Sequence, residues 1–194
     1  MKLLKTAVVG LGRIGWGTHI PKILSKPDYF ALTAVVDLSQ ERLAEAKEKY
    51  GVNGYTDIRT MIEAEHPDLV VIAFGMNQPH STKEEFKADI IRIIRSITDY
   101  NPRAEFLLVS TMMPNTETVF FKKHKLAQQE EALYAVQAEL TDVHIGVVPV
   151  HSVFASMMEN GKKFVDYASN NVNHPNDFGA RVYAQLILAA LEGG

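Results

Sequence analysis

The sequence predicts a three-layer α/β domain in which helices cover both faces of a parallel sheet of about six strands. The first observation is a set of short, continuous apolar runs, which are typical of strands buried on both faces. The second is that helical patterns separate these runs, as right-handed crossovers between parallel strands require. Leu69–Ala73 is the clearest apolar run, and Lys83–Ile97 is the clearest helical pattern.

The predicted elements alternate along the whole chain. In order, the strands are Thr6–Val9, Leu32–Val36, Gly54–Thr56, Leu69–Ala73, Phe106–Val109 and Val143–Val148. The helices are Ile14–Ser25, Gln40–Tyr50, Ile58–Glu65, Lys83–Ile97, Phe120–Leu140 and Arg181–Leu191. Ser39 and Gly51 are typical of a helix start and a helix end, and they bound the second helix. Without a repeat or a linker, the pattern predicts one domain over residues 1–194.

Composition excludes several classes of function. The 194 residues carry a net charge of −3 and no cysteine, which excludes disulfide frameworks, thiolate metal sites and cysteine nucleophiles. The charge favours neither nucleic acid nor an acidic membrane as a partner. The start of the chain has no long apolar segment, so we expect no signal peptide. These features predict a soluble, cytoplasmic protein without a metal site, and they leave its oligomeric state open.

A glycine-rich segment directly follows the first predicted strand. Gly10–Gly15 has the pattern G-x-G-x-x-G and opens a helix, and Asp37 ends the next strand about 20 residues further on. In this pattern Gly10 allows the turn, Gly12 lets a pyrophosphate approach the backbone, and Gly15 allows close packing of helix and strand. Asp37 would accept hydrogen bonds from the ribose and repel a 2′-phosphate, which favours NAD over NADP. The alternative interpretation is a glycine turn that binds nothing. The predicted cofactor-binding residues are Gly10, Gly12, Arg13, Ile14, Gly15 and Asp37.

Lys5–Ala73 resembles the glucose-fructose oxidoreductase/inositol dehydrogenase family of NAD(P)-dependent enzymes. The resemblance lies in AVVGLGRIGWGTHIPKIL, AVVDLSQERLAEAKEKYGV and YTDIRTMIEAEHPDLVVIA. It implies a Rossmann-like fold and a dinucleotide cofactor. Past Ala73 it fades, and the family's Glu-Lys-Pro motif with its catalytic lysine does not occur in the sequence.

From Pro67 onward the chain resembles an SGNH (GDSL-type) esterase instead. Pro67–Asn77 is similar to a block in which Gly75 and Asn77 would help to form an oxyanion hole. His174-Pro175-Asn176-Asp177 is similar to the block that holds the general base. However, Gly10-Leu11-Gly12 stands where that family has Gly-Asp-Ser, and Asn171 stands where it has an acid three residues before the histidine. An acyl transfer needs the missing nucleophile.

Both families use the strand around Leu69–Ala73 beside the first strand, so we interpret the chain as a chimera. Residues 1–73 form a dinucleotide-binding half, residues 67–194 form an SGNH half, and the strand order is 3-2-1-4-5-6. We expect an engineered or recombined scaffold without catalytic activity that binds NAD or another adenine nucleotide weakly. His174, Asn77 and Gly75 are vestigial catalytic candidates. The alternatives are a fragment of an NAD-dependent oxidoreductase and an SGNH-type carbohydrate esterase.

Overall fold

The computed structural model describes residues 3–13 and 15–192. The chain divides into two compact units. Unit 1 comprises the residues up to Asp68 together with Ser96–Ala104, and unit 2 comprises Leu69–Arg95 together with the residues from Glu105 onward.

Unit 1 is built on a parallel three-stranded sheet with the order β1-β2-β3. Its elements are β1 (Leu4–Val9), a π-helical turn (Gly15–His19), α1 (Ile20–Leu24), β2 (Phe30–Val36), α2 (Gln40–Tyr50), β3 (Asn53–Tyr55) and α3 (Ile58–Glu65). Its core contains buried side chains from β1, β2, α1, α2 and the adjoining loops: Val8, Leu11, Ile20, Val35, Leu43, Ala46 and Val52. The ends of α2 follow the predicted chemistry, because Ser39 Oγ accepts the Arg42 N–H and Gly51 is left-handed with φ of 66°.

Unit 2 is built on a second parallel three-stranded sheet, with the order β4-β5-β6. Its elements are β4 (Leu69–Ile72), α4 (Lys83–Thr98, whose last three residues belong to unit 1), β5 (Glu105–Val109), α5 (Leu126–Glu139), β6 (Ile145–Val148), α6 (Val150–Glu159), α7 (Phe164–Tyr167) and α8 (Asp177–Glu192). The buried core includes Leu107, Val109, Met112, Val148, Val150, Phe154 and Tyr167.

The predicted α/β class with parallel strands and Rossmann-like halves is confirmed. The six strands form two sheets of three, with the orders 3-2-1 and 4-5-6, so the single six-stranded order is not confirmed. Among the described residues no helix is long and apolar enough to cross a bilayer. The prediction of a single domain over 1–194, with halves 1–73 and 67–194, stays a prediction.

Three helix predictions need correction. The predicted helix Arg181–Leu191 extends in the structure from Asp177 to Glu192. The segment predicted as the helix Ile14–Ser25 begins as a π-helical turn, where Gly15 and Gly17 leave the backbone free to widen. The predicted helix Phe120–Leu140 starts only at Leu126, because successive turns with i to i+3 hydrogen bonds occupy the residues before it. Lys122 and Lys123 therefore lie in a turn and not on a helix. Helices α6 and α7 were not predicted.

Candidate functional site

The glycine loop of unit 1 connects β1 to the π-helical turn. Gly10 has φ of 87°, a conformation that suits glycine, and its N–H donates to the Val36 carbonyl at 2.7 Å. A Cβ on Gly15 would overlap the Gly10 carbonyl oxygen, so the first helical turn packs directly on the end of the strand. Among the described residues, no atom lies within 4 Å of the position that a Cβ on Gly12 would take, so they leave this side of the loop open. The predicted site residue Ile14 lies outside the described residues.

The Asp37 side chain is hydrogen-bonded to the glycine loop. Its Oδ2 accepts the Leu11 N–H at 2.7 Å, and its Oδ1 accepts the Ser39 N–H at 2.9 Å. The Arg42 guanidinium lies 3.6 Å from Oδ2. These backbone donors, first Ser39 and then Leu11, hold the pKa of the Asp37 carboxyl below its ordinary value, with a smaller contribution from Arg42 and against the effect of burial. Asp37 is therefore ionised at neutral pH and connects the ends of β1 and β2.

A shallow depression of about 400 Å³ adjoins the open side of the loop. Its lining residues come from the loop, the π-helical turn and α2: Leu11, Gly12, Arg13, Trp16, Gly17, Arg42 and Glu45. The Trp16 N–H donates to the Gly12 carbonyl at 2.9 Å, which begins the helical segment at the loop. The structure thus brings Gly10, Gly12, Arg13, Gly15 and Asp37 to one end of the unit 1 sheet.

The esterase-like candidates lie in unit 2 but do not form one constellation. Gly75 and Asn77 line a cavity of about 680 Å³ after β4, together with Phe74, Gln78, Phe86, Arg92 and others. Gly75 has φ of 116°, and its carbonyl accepts the Gln78 N–H at 2.9 Å. The Gln129 Oε1 lies close to where a Gly75 Cβ would stand, and the positive φ disfavours any residue with a side chain there. His174 is not among the residues that line this cavity.

His174 lies in an exposed loop before α8 rather than at the start of that helix. Asn170 organises this loop, because its Oδ1 accepts the N–H groups of Val172, Asn173 and His174. The His174 Nδ1 lies 2.6 Å from the Asn170 Nδ2. Asn171, at the position of the family's acid, accepts hydrogen bonds from Asn115 with its side chain and its carbonyl, both at 3.0 Å. An amide and not a carboxylate therefore adjoins His174.

A buried polar cluster in unit 2 was missed by the sequence analysis. Ser110 Oγ donates to Glu130 Oε2 at 2.5 Å, and the same oxygen of Ser110 accepts the His151 N–H at 3.0 Å. The Ser152 N–H and hydroxyl both donate to Glu130. Ser110, Glu130 and His151 are all buried, with at most 6% of each residue exposed. The burial of Glu130 could have been predicted from helical spacing. Gln129 and Glu130 lie on the same face of α5 as the buried Leu126 and Leu133.

This cluster caps a helix. Pro149, the residue before α6, has no side chain that can accept a hydrogen bond. The first N–H groups of α6 therefore need other acceptors. Ser110 and the Glu130 carboxylate supply them, and a negative charge at this end of a helix is favourable. Within residues 3–13 and 15–192, no group of three or more His, Cys, Asp or Glu side chains has the arrangement of a metal site.

Comparison with known proteins matches less than half of the chain to a family model, and the match extends past Ala73, where the resemblance was predicted to fade. Residues 4–91 match the model of the oxidoreductase family with an NAD-binding Rossmann fold. No curated protein matches the chain. The matched residues include the glycine loop and Asp37, so the amino-terminal part of the chain has the fold of an NAD-binding oxidoreductase domain.

The chain resembles solved structures of two kinds, dehydrogenases and a GDSL-like lipase. A "probable dehydrogenase" from Thermotoga maritima is 23% identical, with a TM-score of 0.40 over 74% of this chain and 35% of that chain. Scyllo-inositol dehydrogenase from Lactobacillus casei with bound NAD(H) and scyllo-inositol is 18% identical, with a TM-score of 0.41 over 75% of this chain and 36% of that chain. The chain thus spans about a third of the length of these dehydrogenases.

A protein from Parabacteroides merdae described as a GDSL-like lipase is 17% identical. Its TM-score is 0.53 over 77% of this chain and 78% of that chain, which is a likeness of fold. The family match and this structural likeness confirm the two-part resemblance.

Proposed function

We propose that the glycine loop of unit 1 binds the adenosine diphosphate part of NAD. The observation that carries the proposal is the open side of Gly12, next to a loop closed by Gly10 and Gly15 and anchored to Asp37. A pyrophosphate bound there would lie against backbone N–H groups at the start of a helical segment, where negative charge is favourable. The family match over residues 4–91 supports the same ligand.

We expect binding to be weak. The family match ends at residue 91 and the sequence has no Glu-Lys-Pro motif, so the nicotinamide end of the cofactor would lack part of that family's contacts. Every 1.4 kcal/mol of lost contacts lowers affinity tenfold, so we expect the loss of these contacts to weaken binding by about tenfold or more.

We further propose that the protein is a scaffold that combines parts of two families and catalyses the reaction of neither. The sequence has no Glu-Lys-Pro motif for hydride transfer, and glycines stand at the place of the esterase serine. In support, the side chain that contacts His174 is the amide of Asn170, and Asn171 is hydrogen-bonded to Asn115. A general base of this kind is normally oriented by an acid.

Calorimetric titration of the full chain with NAD and ADP tests the proposed binding. Gly12→Val is the decisive variant, because a Cβ at this position meets no atom of the described residues within 4 Å, so we expect the added side chain to obstruct the ligand rather than the loop. We expect its affinity to fall at least tenfold. Ala64→Val introduces a valine at an exposed position of α3, away from the loop, and should bind like the parent protein.

Equal binding by the parent protein and Gly12→Val, or no binding by either, would contradict the proposal. The same preparation is assayed for polyol oxidation with NAD and for hydrolysis of a chromogenic acetate ester. Ester hydrolysis that disappears in His174→Ala would show that the chain is an esterase after all.

A further inference from the structure

The turns that precede α5 leave two neighbouring apolar side chains in solvent. Val119 is 93% exposed, the highest fraction among the exposed large apolar residues that the structure describes, and Phe120 is 51% exposed. The next residue, Phe121, is fully buried, so only one of two adjacent phenylalanines packs into unit 2. Exposed apolar surface is unfavourable in water, and a partner that covers Val119 and Phe120 would gain free energy by doing so.

This turn, residues 116–123, has a defined backbone. The Phe121 N–H donates to the Thr118 carbonyl at 3.1 Å, and the Glu117 N–H donates to Oδ1 of the buried Asn115 at 3.0 Å. The ring of Phe120 packs edge-on against the buried ring of Phe121, with 4.9 Å between their centres. The exposed pair is thus held in place by its own neighbours, and a partner need not first order the backbone that carries it.

Lysines adjoin the apolar pair. Lys122 and Lys123 are exposed and Lys125 is half-buried, whereas Glu117 is the acidic residue among residues 116–125. Within the part of the chain that the structure describes, neither Lys122 nor Lys123 forms an ion pair. The net charge of −3 belongs to the whole chain, but charges act mainly within a Debye length, about 8 Å at physiological salt. The surroundings of the turn are therefore cationic.

A lipid bilayer fits this combination better than another protein does. Two side chains expose far less area than the roughly 800 Å² per partner that a stable protein interface buries. The boundary between headgroups and acyl chains, in contrast, accepts a small apolar tip without a matching pocket. Lysine side chains beside such a tip keep their ammonium groups among the headgroups, where anionic lipids attract them.

From this arrangement we propose that the turn of residues 116–123 binds reversibly to bilayers that contain anionic phospholipid. Val119 and Phe120 enter the interface of the bilayer. Lys122 and Lys123 contact the negative headgroups, so binding weakens as salt is added. The net charge of the whole chain predicts no such partner, because it averages over residues that lie elsewhere. The inference concerns unit 2 and is independent of the proposed nucleotide site.

Sedimentation of the full chain with lipid vesicles tests the proposal. One set of vesicles contains phosphatidylcholine alone, and the other contains equal parts of phosphatidylcholine and phosphatidylserine. We expect binding to the second set, and much less to the first. The double variant Val119→Ser/Phe120→Ser should lower the partition coefficient about tenfold or more at low salt. The double variant Lys122→Gln/Lys123→Gln should lower it by a similar factor.

The other pair of adjacent lysines in the chain provides matched controls. Lys162 and Lys163 are exposed, and Val165, which follows them closely, is 66% exposed. The variant Lys162→Gln/Lys163→Gln removes the same charge, and Val165→Ser makes the same apolar-to-polar change. Both should bind vesicles like the parent protein. Thermal unfolding of every variant checks that the fold is kept, which we expect because most of the replaced side chains are well exposed.

Equal binding to both kinds of vesicle, or binding to neither, overturns the proposal. Binding that survives the changes in the turn overturns it as well, and so does binding that the control changes reduce to the same extent. Sedimentation velocity without lipid examines the alternative occupant, a second copy of the chain. A dimer that Val119→Ser/Phe120→Ser dissociates would show that the pair mediates self-association and would overturn the assignment to lipid.

Discussion

The side chain of Glu130, a residue of α5, caps the start of another helix, α6. Its carboxylate accepts hydrogen bonds from Ser110 and Ser152 and covers the start of α6. Glu130→Leu removes this acceptor, and we expect the free energy of unfolding to fall by about 1–2 kcal/mol, as for the loss of a helix cap. Glu130→Gln should cost less, because one oxygen remains and the Ser110 hydroxyl can turn to the Val148 carbonyl at 3.2 Å.

Urea denaturation of these variants measures the difference. Glu131→Leu is the matched control, because Glu131 is the next residue of α5 and is exposed, with a side chain 63% accessible in its ion pair with Lys83. It should change stability by less than about 0.5 kcal/mol. If Glu130→Leu were as stable as Glu131→Leu, the capping role of Glu130 would be wrong.

Sequence reasoning was strongest for single residues with a distinctive local chemistry. Ser39, Gly51 and Gly10 have the cap and turn conformations that their residue types favour. It was weakest for residues whose partners are distant in sequence. The carboxylate of Asp37 bonds to the Leu11 N–H across 26 positions, and no local pattern predicts such a contact.

At the scale of elements, Gly15 determines how closely the first helical turn packs on β1. A methyl group there would overlap the Gly10 carbonyl oxygen, which belongs to the backbone and has little freedom to move. We expect Gly15→Ala to destabilise the protein by at least about 1–3 kcal/mol, the usual cost of overpacking. Thermal unfolding of Gly15→Ala and Gly12→Ala measures the difference. Gly12→Ala adds the same methyl group where no described atom lies within 4 Å, so it should leave the melting temperature nearly unchanged. Equal melting temperatures would contradict this account.

Element bounds were predicted well where hydrophobic periodicity continues to a cap, and poorly where tertiary contacts replace it. The segment before α5 has helical residue types, but its backbone is used elsewhere: the Lys125 N–H donates to the Pro79 carbonyl, and the Leu126 N–H donates to His124 Nδ1. Helix α6 was detectable, because Val150, Val153, Phe154 and Met157 follow helical spacing.

At the scale of the whole molecule, stability should decrease as the solution becomes acidic. Burial lowers the pKa of His124 below its ordinary value, and the neighbouring His80 lowers it further. Burial likewise lowers the pKa of His151; His124 adds to this effect, while Glu130 and the Thr111 backbone oppose it. Both histidines therefore bind protons more readily in the unfolded chain. Their contribution to stability is complete above the unfolded pKa of about 6.5 and is lost as the pH falls below it.

Urea denaturation between pH 7.5 and 5 measures this decrease. Each histidine contributes a slope of at most about 1.4 kcal/mol per pH unit. His151→Gln should flatten the decrease, whereas His144→Gln removes an exposed histidine outside this group and serves as the control. A free energy of unfolding that stays constant over this range would contradict the expected protonation of the histidines.

The arrangement of the strands was only partly predictable. Apolar runs identify parallel strands, but every strand buried on both faces has a similar pattern, so the runs do not specify which strands are neighbours. The order 3-2-1-4-5-6 came from family resemblance, and the structure has its two halves as separate three-stranded sheets.

The bond between Glu130 and Ser152 also limits how such a chain can be recombined. A crossover placed between these residues would combine α5 of one parent with α6 of another. If the new α6 brought no matching donors, the carboxylate would remain buried, and if the new α5 brought no acid, the helix would start without its acceptor. We therefore expect that an exchange between related chains is viable only if it keeps Ser110, Glu130 and Ser152 together.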